Sequence, residues 1–167
     1  HSDDFLMHNH IIAEIVEYFQ KTSADMVYGD GLFVDADQTD KVIRDWRGGN
    51  YRRWKVRLGW LPLHPTVYIK RSAIEQYGLY NEKYKIAADS DFLVRYLYKA
   101  DLQVEYLGKY VLRMRMGGLS TDSQKRKAMW KEDVDMYRKN GFWGVPEKIL
   151  KKLRRTEKSV GVFCIFT

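Results

Sequence analysis

The chain has 167 residues, 45% of them hydrophobic and 31% charged, enough apolar material for one core and too much for a disordered chain. Its formal net charge of +7 and pI near 9.4 point to an anionic partner: nucleic acid, an anionic membrane surface or a phosphorylated substrate. The single cysteine, Cys164, excludes a disulfide framework or a CxxC zinc site and fits a reducing compartment, and no apolar run approaches the roughly 18 residues of a membrane span.

The first clear element is an amphipathic helix over about residues 8–20. Ile11, Ile12, Ile15, Val16 and Phe19 share one face, with Glu14 and Glu17 opposite. Ala24–Tyr28 reads as a strand closed by Gly29-Asp30-Gly31. Residues 32–34 continue extended, and 41–46 return as the partner of a hairpin. The acids of the intervening Asp35–Asp40 turn alternate as in a calcium loop, but Asp40 stands where that loop needs Gly and Trp46 where it needs Glu. It is a turn.

Tyr51–Trp60 interleaves Arg52, Arg53, Lys55 and Arg57 with Trp54 and Trp60. Such a segment can stack on single-stranded nucleic acid, or it can be an amphipathic stretch with Trp54, Leu58 and Leu61 turned inward. A Pro-bounded loop around His64 then leads into a strand over Thr66–Lys70. A short helix over Ser72–Tyr77 follows, stopped by Gly78. A helix over Asp91–Ala100 carries Phe92, Leu93, Tyr96 and Leu97 on one face, and loop residues deliver Asp89 and Asp91 to its start. Two carboxylates there suit chemistry in a cleft or simple helix capping.

Residues 104–116 read as two strands, or as one broken at Gly108. A helix capped by Thr121 or Asp122 runs to about Lys139 and stops at Asn140-Gly141. Pro146 opens a last helix with Ile149, Leu150 and Leu153 on one side. Lys148, Lys151, Lys152, Arg154, Arg155 and Lys158 make that helix strongly basic. Its cations are either solvated or attract anionic lipid at about 1 kcal/mol each near a membrane surface.

Three segments, in order, resemble the second half of family 2 inverting glycosyltransferases. Ser2-Asp3-Asp4-Phe5 looks like that family's metal-binding Asp-Asp signature, and Val27-Tyr28-Gly29-Asp30 precedes the hairpin. The third runs from His64-Pro65-Thr66 through Arg71-Ser72-Ala73 and Tyr77-Gly78-Leu79-Tyr80 to Ala88-Asp89-Ser90-Asp91-Phe92-Leu93-Val94-Arg95, the last part matching the acidic motif before the acceptor-site helix. Ala88 departs from that motif, which usually has Glu there. The resemblance covers about residues 2–120.

The resemblance implies an α/β chain with part of an A-type glycosyltransferase fold, a mixed sheet flanked by helices. Residues 1–120 would be the acceptor-side half of the catalytic domain and 121–167 a basic helical extension. The half that holds the nucleoside would lie before His1, so a truncated domain, inactive by itself, is one expectation. The implied reaction moves a sugar with inversion from a nucleotide diphosphate sugar to a hydroxyl of a saccharide or lipid-linked saccharide, as in bacterial polysaccharide biosynthesis. The expected location is cytoplasmic, at most peripheral at the inner face of the membrane through the basic helix.

The chemistry gives each candidate a role. A diphosphate leaving group gains negative charge, which Mg²⁺ or Mn²⁺ on carboxylate oxygens stabilises. Asp4 is the candidate metal ligand and Asp3 the contact to the donor's sugar or ribose; capping of the helix near residue 8 is their alternative role. The acceptor hydroxyl needs a base within hydrogen-bond reach, for which Asp89 is the candidate and Asp91 the alternative. His64 is a candidate for the acceptor pocket, Arg113 and Arg115 for the diphosphate, and Asp30 for the cleft. Competing readings are a nucleic-acid-binding module built on Tyr51–Trp60 and an inactive fragment; the leading one expects no nucleic acid.

Overall fold

The computed structural model describes residues 4–116 and 126–160. Strand β2 (Met26–Val34) is the centre of a five-stranded mixed sheet. It runs parallel to β5 (Val104–Arg115), whose far edge carries the short antiparallel β1 (Phe5–Leu6). On its other edge β2 pairs antiparallel with β4 (Val67–Ile69) through Met26–Tyr28, then with β3 (Val42–Trp46) through Gly31–Val34. Hydrogen-bonded on both edges, β2 is buried over Met26–Gly31.

Gly29-Asp30-Gly31 does not close this strand. A Cβ on Gly29 would strike Val111 and the Lys109 carbonyl, and one on Gly31 would strike Leu63. The glycines let β2 pass close beneath its neighbours, and β5 accommodates them with register shifts around Asp30. β5 is likewise continuous through Gly108, where φ is +69°.

Helices cover both faces. α1 (Ile11–Lys21) lays Ile11 and Ile15 against Val111, while Ile12 and Val16 of its predicted apolar face are exposed. The other face holds the main core. There α4 (Ala88–Val94), its continuation as a π turn over Arg95–Lys99, and α5 (Arg126–Lys139) supply Phe92, Leu93, Tyr96, Leu97, Met136 and Tyr137. Met26 and Tyr28 of β2 meet them, joined by Val56 of α2 (Arg53–Arg57) and by Trp60. Met136, Tyr137 and Phe142 belong to this core, so α5 and the turn after it pack into the same core as the sheet. The capping positions Thr121 and Asp122 lie outside the described residues.

α6 (Val145–Val160) is turned opposite to the sequence expectation. Ile149 and Leu153 are 45% and 54% exposed, whereas Lys148 is buried and Lys151 nearly so. The cause is Asp133 on α5, a fully enclosed carboxylate that accepts from Lys148 Nζ and, at 2.9 Å, from Lys151 Nζ. A buried carboxylate requires charge partners, and that requirement overrides the helix's hydrophobic periodicity. No described helix is long and apolar enough to cross a membrane.

Gly59 fixes the same packing. Its φ is +73°, and an added Cβ would lie 2.6 Å from both the Glu147 carbonyl and the Lys151 amide nitrogen. The α6 backbone therefore rests directly on this turn. Gly59→Ala is expected to cost at least about 1–3 kcal/mol from the left-handed backbone alone. Urea unfolding measures it, and a shift below about 0.5 kcal/mol contradicts this packing.

Candidate functional site

Asp89 sits in the first turn of α4, but it is not the cap. Ala87 is the N-cap residue and makes no side-chain cap bond. The amides of Ile86 and Ala87 instead donate to Glu132 Oε2 of α5, at 2.8 and 2.9 Å. Making no cap bond, the Asp89 carboxylate faces a cleft and meets His64 Nε2 at 3.3 Å.

His64 begins the 3-10 turn His64–Thr66. Thr66 Oγ1 donates within reach of the Gly29 carbonyl at 2.9 Å and the Leu63 carbonyl at 2.7 Å, which straps this turn onto β2. Burial pulls the His64 imidazole below its usual range, opposed by the Asp89 and Asp4 carboxylates. The ring is therefore neutral at pH 7 and can donate one N–H to Asp89. Asp4, just before β1, is near enough for its charge to act on that ring. The charges of the early acid and the late acid thus both act on one imidazole.

The cleft has a volume of about 150 Å³. Trp60, Leu61 and Leu63 line it on the loop side, Asp89 and Ser90 at the start of α4, and Lys151 and Arg154 along α6. Its walls are electrically unlike: the Asp89 carboxylate and a neutral imidazole on one side, and on the other Arg154 with Lys151, which is paired to the cleft-lining Asp133 carboxylate.

The remaining candidates are placed elsewhere. Asp91 is 3% exposed and bound on both oxygens, by Arg95 Nε at 2.9 Å and Asn140 Nδ2 at 2.9 Å. Arg95 also donates to the Tyr77 and Leu79 carbonyls, so Asp91 and Arg95 together hold the loop that delivers Asp89. Asp30 is buried, accepting from the Gly48 amide at 2.7 Å and from the Tyr106 hydroxyl at 2.8 Å. Burial and that bond push the Tyr106 hydroxyl up to about 12, so it remains a donor. Asp30 braces the sheet and does not line the cleft.

Met114 lines the cleft, and strand alternation turns its neighbours Arg113 and Arg115 to the other face. Arg113 lies 3.6 Å from Asp40, and Arg115 sits over the Phe5 ring. Asp3 lies outside the described residues.

In the basic-aromatic segment, Trp60 is buried with its Nε1 donating to the Gly48 carbonyl, and Tyr51 donates to the Leu97 carbonyl. Trp54, expected inward, is 58% exposed. The core thus takes two of the three rings that a stacking surface would need.

Sequence reasoning missed Ser90, Asp133, Lys151 and Arg154 as cleft residues. One signal was present: Lys148, Lys151 and Arg154 recur every third residue, a spacing that places them on one helix face. No family model and no curated protein matches the chain.

Proposed function

We propose that the chain is the acceptor side of an inverting glycosyltransferase of A-type fold, with Asp89 as the base. The observation that carries this reading is the Asp89 carboxylate, free of any cap bond, opening into a cleft beside His64 within the influence of Asp4. In a single displacement an acceptor hydroxyl gives its proton to Asp89, and its oxygen attacks the anomeric carbon. The bond from that carbon to the diphosphate oxygen breaks, and the nucleoside diphosphate leaves with the electron pair.

His64 stands 3.3 Å from the Asp89 carboxylate and stays neutral, so it adds no charge that would weaken the base. Asp91 acts through position alone.

Among the described residues no group of three His, Cys, Asp or Glu side chains is arranged to hold a metal. Mg²⁺ needs only one or two carboxylates when substrate phosphates and water complete its shell, so a single carboxylate at Asp4 fits it or Mn²⁺. Bound there, the cation would stabilise charge on the departing diphosphate. Asp4 would be its protein ligand.

The test is release of nucleoside diphosphate from a panel of nucleotide diphosphate sugars, with saccharide acceptors and Mn²⁺, by the full-length protein. Release that EDTA stops is the expected result. Metal-independent release, or none from any donor, overturns the reading.

A further inference from the structure

We infer that the α6 wall of the cleft is a subsite for a compact anionic group, a carboxylate or phosphate ester, on the acceptor saccharide, with Arg154 as its principal contact. Arg154 lines the cleft and is partly buried. Its Nε donates to the Leu58 carbonyl at 3.1 Å, which fixes the guanidinium at one point. Among the described residues, no carboxylate forms an ion pair with it.

A guanidinium held by its Nε keeps the two terminal nitrogens as a planar fork, which matches the oxygens of a carboxylate or phosphate. A half-buried cation lined up along a cleft is costly to desolvate, and a ligand anion offsets that cost.

The neighbouring residues decide where such a group would lie. Lys151, one helical turn back on the same face, also lines the cleft and donates to Ser90 Oγ at 2.7 Å. Ser90 follows Asp89 directly, so the α6 wall begins beside the proposed base. Asp89 repels an anion from its own side, whereas Asp133, which also lines the cleft, has its charge offset by Lys148 and Lys151. An acidic sugar is therefore turned so that its hydroxyl meets Asp89 and its acid meets Arg154. Like-charge repulsion and the fork act in the same sense, which makes this a device for selecting the acceptor's orientation.

The volume of about 150 Å³ lies below the about 300–1,000 Å³ of sites that take drug-sized ligands, which suits one sugar residue. Trp60 and Leu63 offer an apolar surface to its ring.

That the ligand is a saccharide rests on the proposed transferase reading; the anion site itself does not. Ligand-observed NMR on the chain, without metal or nucleotide, compares glucuronic acid, glucose 6-phosphate and glucose. At least one acid is expected to bind tenfold or more tighter than glucose, and the tighter of the two identifies the group. Arg154→Gln is expected to remove that advantage and leave glucose unchanged, while Arg154→Lys retains part of it.

Acids binding no tighter than glucose would overturn the inference. So would a folded Arg154→Gln variant that keeps the preference, or, should that variant not fold, an Arg154→Lys variant that binds the acids unaltered. Failure of the transferase reading looks different: the acid preference persists and no donor turns over.

Discussion

Asp133→Ala lowers the stability of the folded chain by about 3–5 kcal/mol, the range for removing one member of a buried ionic cluster. Asp133 is enclosed between α5 and α6 and accepts from both Lys148 and Lys151. Burial alone would raise its pKa, but the two lysine charges and their hydrogen bonds outweigh burial and hold it below the usual carboxylate range. Deleting the carboxylate leaves two inward-facing ammonium groups without it. For a domain of this size the melting temperature falls by roughly 6–20 °C, at about 2–4 °C per kcal/mol.

The pH dependence has a definite sign. A depressed carboxylate contributes stability that is present above its unfolded pKa of about 3.9 and is lost as pH falls through the folded value. Urea midpoints measured from pH 7 downward therefore drop in the wild type below about pH 4. Asp133→Asn, which keeps the shape, shows a shallower fall. A melting temperature within about 2 °C of wild type in Asp133→Ala, less than 1 kcal/mol, contradicts the inward orientation of α6.

Asp89→Asn lowers kcat by about 10²–10⁴-fold, the contribution of a positioned general base. Because Asp89 makes no cap bond at the start of α4, the same substitution leaves the melting temperature close to wild type. Asp91→Asn gives the opposite pattern. It weakens two buried hydrogen bonds, one from Arg95, each worth about 1.5–3 kcal/mol when a charged group is involved, and lowers stability. Steady-state rates and thermal melts on the two variants separate base from brace. A kcat within tenfold of wild type for Asp89→Asn removes Asp89 from the chemistry.

The two aspartates show how far local sequence carries. Both precede an amphipathic helix, and capping rules apply equally to either. What separates them is Asn140, which with Arg95 closes Asp91 into the core and leaves Asp89 at the cleft. Long-range partners of this kind leave no trace in periodicity.

The strand–turn–helix run from Thr66 to Gly78, the hairpin and the stop of α5 at Lys139 follow local signals and were legible. So was the coarse class, an α/β chain with a mixed sheet between helices. The break at Gly29-Asp30-Gly31 was misread because glycine marks both turns and close backbone passage, and only the position of Val111 and Leu63 tells them apart. The face of α6 was misread because hydrophobic pattern is a rule about average cores. A buried Asp133 inverted it. Trp54, expected inward, is exposed, and past the turn at Gly59 it is Trp60 that is buried, its Nε1 donating to the Gly48 carbonyl.

The central claim is that Asp4, just before β1, and Asp89, on α4, both act on His64 at the cleft. An NMR titration of the His64 imidazole in wild type, Asp4→Asn and Asp89→Asn tests it without substrate or metal. The wild-type ring should titrate below its ordinary value of about 6.5, and each substitution, by removing a carboxylate that favours the imidazolium, should move it lower still. An imidazole that titrates identically in wild type and Asp4→Asn would contradict the claim.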